Sequence, residues 1–254
     1  MTIALVRRPS PRLAEGIVTH INRTPVDVPL AYRQWDDYVT ALRNADWQIR
    51  EVSPLDSAPD SVFIEDTVVM YRGTAIVTRP GSDARKPETE AVETMVREMG
   101  CRVARIEEPG TLDGGDVLKV ADTLFVGLGG RTNRAGIEQF THIVAPLGAN
   151  VVTVPVTKVL HLKSAVTALP DGTIIGWDAA VDDASVFPKY LSMPEESGAH
   201  VVVIDDNTLL MAADAPRSTE LLRILGYQVI CVDISEYEKL EGCVTCLSVR
   251  MRDN

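Results

Sequence analysis

The chain has 254 residues, 45% of them apolar and 24% charged, with a formal net charge of −11 at neutral pH. That length buries a substantial core as one domain, or two at most. So acidic a protein does not draw nucleic acid or anionic membrane through its overall field; a cationic small molecule or partner is more compatible, although many ordinary enzymes are as acidic.

Met1 to Arg8 is apolar for a few residues and then basic, the reverse of a secretory signal, and no run of about 18 apolar residues marks a membrane span. Thr2 to Arg7 alternates as a strand. Pro9 to Pro29 carries four prolines and little periodicity, the pattern of a binding loop or lid. Trp35, Tyr38, Val39 and Leu42 have the spacing of an amphipathic helix over Tyr32 to Asn44, and Trp47 to Val52 is a strand.

A unit then recurs. Its first copy has strands at Thr67 to Tyr71 and Thr74 to Thr78, a helix at Pro87 to Met99 stopped by Gly100, and a strand at Arg102 to Ile106. The second has strands at Val117 to Val120 and Thr123 to Val126, a helix near Thr132 to Leu147 stopped by Gly148, and Val151 to Val154. The third opens at Ala165 to Leu169 and Thr173 to Trp177 and is less regular afterwards. The fourth has Val201 to Ile204, Thr208 to Met211, a helix from Arg217 to Gly226, and Gln228 to Val232. A fifth is split, with Leu247 to Met251 joining the N-terminal strand, helix and strand. Strand, strand, helix, strand thus returns roughly every 40–50 residues, a repeat spacing. If the termini share a module, the modules close into a ring, a propeller-like α/β assembly with strand ends around a central cavity; an open α/β sheet of several layers is the alternative, disfavoured because the C-terminal strand completes the N-terminal unit.

Polar residues gather just before each module's first strand: Glu65 and Asp66, then Asp113-Gly114-Gly115-Asp116, then His161, then Cys246. A ring brings these positions together. Cys246 is a candidate thiol nucleophile, although a buried cysteine is more often inert packing. His161, between leucines, is as often a satisfied core group as an acid and base. The other histidines, His20, His142 and His200, read as surface residues. Paired carboxylates suit a guanidinium, and Arg85 and Arg131 suit a carboxylate. Cys101 and Cys231 read as core. Four cysteines make no disulfide framework, and a reduced, cytoplasmic protein is expected. Cys243 gives a C-x-x-C spacing that fits a redox pair or half a zinc site, but there is no second such pair.

The segments Asp60 to Asp66, Thr78-Arg79-Pro80-Gly81 with Arg85, Leu112 to Leu118, Arg131-Thr132-Asn133, Leu160 to Ser164 and Gly242 to Ser248 jointly resemble the dimethylarginine dimethylaminohydrolase family, guanidine-modifying enzymes of the pentein superfamily. The resemblance runs nearly the whole chain. It implies a five-bladed α/β-propeller of ββαβ modules with pseudo-fivefold symmetry, one catalytic domain over 1–254, and an active site at the central cavity. It implies hydrolysis of Nω-methylated arginines to citrulline and a methylamine through a covalent S-alkylthiouronium. Cys246 would be the nucleophile, His161 the proton donor and Asp113 its acidic partner. Glu65 and Asp66 would line the substrate site, with Asp60, Arg85 and Arg131 at the amino-acid end. Ile17 and Leu240 would touch substrate through backbone. No metal or organic cofactor is implied, and a homodimer is compatible. Cys243 is then a neighbour in the turn and not a redox partner. Arginine deiminase is the nearest rival, but those enzymes carry an inserted helical region for which this chain has no room. A non-catalytic binder of the same fold is disfavoured by the intact Cys246, His161 and Asp113.

Overall fold

The computed structural model describes residues 2–252; residues 1, 253 and 254 of the expected domain lie outside the described residues. In chain order the elements are β1 (Thr2–Arg7), α1 (Val28–Asn44) and β2 (Gln48–Val52), then β3 (Val68–Tyr71), β4 (Thr74–Val77), α2 (Thr89–Glu98) and β5 (Arg102–Arg105). There follow β6 (Val117–Val120), β7 (Thr123–Leu128), α3 (Arg134–Val144) and β8 (Asn150–Pro155), and then β9 (Val166–Ala168), β10 (Ile174–Gly176) and β11 (Tyr190–Ser192). The last are β12 (Val201–Val203), β13 (Thr208–Ala212), α4 (Pro216–Ile224), β14 (Gln228–Val232), α5 (Ser235–Glu238) and β15 (Val249–Arg252).

These strands form five three-stranded sheets, ordered β3-β4-β5, β6-β7-β8, β9-β10-β11, β12-β13-β14 and β15-β1-β2. Each pairs its first strand antiparallel to the central one and its third strand parallel to it. The parallel pair requires a crossover, which a helix supplies in four sheets. The third sheet lacks one; residues 184–186 make a single 3-10 turn, capped by the Asp183 carboxylate. The ββαβ expectation therefore holds in four modules and is abbreviated in the third. The C-terminal strand completes the N-terminal sheet, pairing Leu5 with Val249 and Ile3 with Met251.

The first strands β3, β6, β9, β12 and β15 surround a cavity of about 840 Å³ that includes Met70, Lys119, Thr167, Val201 and Arg250 in its wall. The ring is thus closed around an axis. Cys246, His161 and Asp113 do not line this cavity. They lie where the chain enters those strands, beside its inner wall at Lys163 and Thr245.

Local chemistry explains where boundaries moved. Helix α1 starts at Val28 and not Tyr32, because the Asp27 carboxylate accepts the Leu30 N–H at 2.9 Å and Pro29 occupies the first turn, where a missing N–H costs nothing. Its inner face buries Trp35, Tyr38, Val39 and Leu42 in a cluster shared with Leu240, Val244 and Leu247. Truncating a buried aromatic of this kind costs about 3–5 kcal/mol. Strand β15 starts at Val249 and not Leu247, because residues 243–247 form a turn in which the Cys246 N–H donates to the Cys243 carbonyl at 3.0 Å.

Candidate active site

The turn before β15 is fixed from three sides. The Tyr38 hydroxyl of α1 donates to the Val244 carbonyl at 3.0 Å and sits 2.7 Å from Ser248 Oγ. Burial pushes that phenol up to about 12, so it stays neutral. The Arg250 guanidinium holds the Thr245 and Ser248 carbonyls at 2.8 Å. The Glu65 N–H donates to the Cys246 carbonyl at 3.2 Å. Gly242 is pressed so closely on Phe63 that a Cβ there would lie 2.3 Å from the ring. Cys246 is consequently a buried, backbone-locked thiol, 6% exposed. Its Sγ lies 3.4 Å from that of Cys243.

His161 is enclosed by carboxylates. Its Nε2 is 3.0 Å from Asp113 Oδ2, and its Nδ1 is 3.8 Å from Asp66 Oδ1. Asp116 lies one step away: its Oδ1 accepts the Leu162 N–H at 2.9 Å, and its Oδ2 accepts the Thr132 hydroxyl at 2.6 Å. Burial disfavours the imidazolium, but Asp66, Asp116 and Asp113 outweigh it and raise His161 to about 9. The group is therefore a protonated acid at neutral pH. Burial lifts Asp116 to about 6, with His161 and Thr132 pulling against it. Gly115 makes the enclosure possible. Its N–H donates to Asp66 Oδ1 at 2.8 Å, and a Cβ there would fall 2.7 Å from both that oxygen and His161 Nδ1.

Asp66 binds Arg85 through Oδ2 at 2.6 Å. Burial opposes its charge, but His161 and Arg85 hold it well below the usual carboxylate range. Arg85 is saturated: it also bridges Glu88 and donates to the Asp60 and Phe63 carbonyls. It braces Asp66 in this arrangement and offers no free donor edge. Arg131 differs. It is nearly buried, its nearest anion among the described residues is Asp113 at 3.6 Å, and its Nη1 has no hydrogen-bond partner among them. That is an unspent cation able to take an anion.

Asp60 accepts the Ile17 N–H on both oxygens, at 3.1 and 3.2 Å. The Leu240 side chain closes on the same place, 3.3 Å from where a Cβ on Gly16 would stand. The proline-rich loop is thus docked on the site, and Ile17, Asp60 and Leu240 share one wall. Glu65 faces elsewhere. One of its oxygens binds Lys163 at 2.6 Å and Arg250 at 2.5 Å, while Oε2 is buried without a partner among the described residues. The paired-carboxylate expectation for Glu65 and Asp66 thus meets two neighbours with separate cation partners.

Sequence reasoning missed several members of this network. Lys163, Arg250 and Glu88 pair with Glu65 or Arg85, and only the Lys163 position beside His161 hinted at it. His200, expected at the surface, is buried with Nε2 2.9 Å from the Ser164 carbonyl. Cys231, expected in the core, is exposed. Asp66, Asp113 and His161 also bring potential metal-binding atoms within 4.8 Å of one another. Asp66 already pairs with Arg85 through Oδ2, and the surrounding carboxylates favour a protonated imidazole, so this donor set suits proton transfer better than metal binding.

The arginine deiminase family model matches residues 41–186. The N(G),N(G)-dimethylarginine dimethylaminohydrolase of Streptomyces coelicolor is 61% identical over 98% of this chain and 97% of its own. That of Pseudomonas aeruginosa is 35% identical over 97% of this chain and 98% of its own. A solved structure of the Pseudomonas aeruginosa enzyme, a cysteine-to-serine mutant complexed with citrulline, superposes with a TM-score of 0.91 at 34% identity, covering 98% of each chain. The N-terminal domain of a cyanobacterial arginine dihydrolase, at 19% identity and a TM-score of 0.84 over 98% of each chain, shares the fold.

Proposed function

The chain belongs to the dimethylarginine dimethylaminohydrolase family of the pentein superfamily, and from that membership we propose that it hydrolyses Nω,Nω-dimethyl-L-arginine and Nω-monomethyl-L-arginine to L-citrulline plus dimethylamine or methylamine. The observation that carries the reading is His161, buried with Nε2 3.0 Å from Asp113 Oδ2 and Nδ1 3.8 Å from Asp66 Oδ1, where the surrounding carboxylates favour its protonated form. An amine leaves carbon only when protonated, and this imidazolium is a donor for it.

The substrate's guanidinium enters a site rich in carboxylate. Asp66, held ionised by Arg85, orients it, and the α-carboxylate takes the free edge of Arg131. Asp60, Ile17 and Leu240 wall the amino-acid end. Glu65 positions the floor through Lys163 and Arg250. Cys246 is a thiol at rest: its bond to Cys243, burial, and the negative Glu65 and Asp66 all raise it well above its ordinary value. The arriving cation reverses that field and favours the thiolate, the thiol proton passing to solvent because His161 already carries one. Thiolate attack on the guanidinium carbon gives a tetrahedral adduct. His161 gives its proton to the methylated nitrogen, the C–N bond breaks, and an S-alkylthiouronium remains on Cys246. His161, now neutral, takes a proton from water. Hydroxide adds, the C–S bond breaks, and citrulline leaves. Splitting one difficult displacement into two is the gain of covalent catalysis. The steps require no metal or organic cofactor, and the whole 1–254 chain acts as one catalytic unit, in the cytoplasm.

The test is citrulline release from dimethylarginine, monomethylarginine and arginine. Methylated substrates should turn over and the Cys246→Ser variant should not. Arginine turning over faster than both would move the assignment to a deiminase, the name borne by the matching family model.

A further inference from the structure

Cys243 and Cys246 occupy the first and fourth positions of a turn closed by the 3.0 Å bond from Cys246 N–H to the Cys243 carbonyl. Such a turn holds its end Cα atoms within about 7 Å, and disulfides span Cα separations of about 4.4–6.8 Å. The side chains converge as well. The sulfurs are 3.4 Å apart, and the Cys243 N–H points at Cys246 Sγ at 3.5 Å. Both thiols are free. Closing the gap to a covalent length of about 2.05 Å needs only a small rotation of each side chain. The C-x-x-C spacing alone fitted a redox pair or half a zinc site, and the family resemblance made Cys243 a neighbour in the turn; the facing sulfurs make it a pair.

We propose that Cys243 is a resolving cysteine, so that oxidation of Cys246 by a peroxide is captured as a Cys243–Cys246 disulfide, a reversible and inactive form of the protein. A sulfur of the pair attacks one peroxide oxygen, the O–O bond breaks, and that sulfur becomes a sulfenic acid while the peroxide is reduced by two electrons to water. The second sulfur, as thiolate, attacks the sulfenic sulfur. The S–O bond breaks, hydroxide leaves and takes up a proton as water, and the S–S bond forms. Two thiols and one peroxide give one disulfide and two waters. A small dithiol restores both thiols by two exchange steps. Without a partner at 3.4 Å the sulfenic acid would stay open to a second peroxide and to irreversible sulfinic acid.

The charge state of the pair favours the chemistry. The S–H of Cys246 hydrogen-bonds to Cys243, which, against its burial, brings Cys243 down to about 5, while Cys246 stays high. The lowered Cys243 favours a thiolate within the pair, and it is the thiolate that reacts. Whichever sulfur is oxidised first, the other is its partner in the turn. The disulfide rests on this geometry alone. The loss of turnover also rests on Cys246 being the nucleophile.

The experiment uses full-length protein, reduced, freed of reductant and treated with one equivalent of hydrogen peroxide. Remaining thiols are alkylated, and intact mass and non-reduced peptides are measured beside citrulline release. The expected product lacks two hydrogens, carries a 243–246 link, and loses turnover in step with the linked fraction. Dithiothreitol should restore turnover and mass together. Under a severalfold excess of peroxide, Cys243→Ser should accumulate two- and three-oxygen adducts on Cys246 that dithiothreitol does not reverse. A Cys101→Ser, Cys231→Ser background should retain the link. Oxygen adducts without a link in the wild type, or equal recovery by Cys243→Ser, would overturn the proposal. A 243–246 link with turnover intact would instead overturn the nucleophile assignment.

Discussion

Nε2 of His161 stands 3.0 Å from Oδ2 of Asp113, whose Oδ1 takes the Gly81 N–H at 2.8 Å. The carboxylate is therefore fixed at one end by backbone and orients the imidazole with the other. Asp113→Asn keeps the shape and removes the charge. His161 remains near Asp66 and Asp116 but is less strongly raised. Turnover should fall on the order of 10–10²-fold, part of the ~10²–10⁴ that a positioned acid contributes. The alkaline limb of the kcat profile should move to lower pH. An unmoved limb at reduced kcat would mean Asp113 orients without tuning the proton.

The same enclosure makes stability depend on pH. The folded His161 titrates at about 9, above its ordinary 6.5. The folded state thus binds that proton more tightly, and the stabilisation is complete below about 6.5 and lost as pH rises through 9. Other groups titrate in this window with other signs; Cys243, brought down to about 5, gains stability as pH rises. The difference between wild type and His161→Gln isolates the effect. Urea midpoints of the two should converge between pH 6.5 and 9.5. A constant gap across that range would contradict a proton held by the three acids.

Arg131 is the cation with a spare donor, and Arg85 is the one without. Arg131→Gln should raise KM for methylated arginines by about 10–100-fold, the loss of a charged hydrogen bond of ~1.5–3 kcal/mol. It should change kcat much less. A guanidine lacking the α-carboxylate should be turned over equally by variant and wild type. Arg85→Gln should behave differently: it strands Asp66 and Glu88 in the interior, so thermal stability falls with activity. If both variants lose only stability, neither binds the carboxylate.

The repeat was legible because each module alternates along its strands and marks its helix ends. Gly100, Gly148 and Gly226 take φ values of +78°, +85° and +99° at the expected helix stops. The third module's missing helix was not legible, since loss of periodicity after Trp177 does not say what replaces it. The entrances to the first strands hold the candidate residues Cys246, His161, Asp66 and Asp113, as expected from the repeat. Their partners were hidden because ion pairs carry no local pattern. Arg250 reaches Glu65 across 185 residues of sequence. Only the turn's hydrogen bond decided whether Cys243 faces Cys246, and spacing alone cannot supply that.

Gly115 provides the sharpest separation of geometry from charge. A methyl there would sit 2.7 Å from His161 Nδ1 and from Asp66 Oδ1, and 2.9 Å from His161 Cγ. Contacts this short force the imidazole or the carboxylate aside without removing any ionisable group. A displacement of about 1 Å in a reacting group can cost ~10²-fold. Gly115→Ala should therefore lower kcat by about that factor. Gly130→Ala is the control for the substitution itself, since a Cβ there meets nothing within 4 Å. It should leave thermal stability unchanged. Steady-state kinetics and thermal melts on both variants make the comparison. Near-normal kcat in Gly115→Ala would show that the enclosure yields, and that His161 does not depend on the tight seat that Gly115 allows.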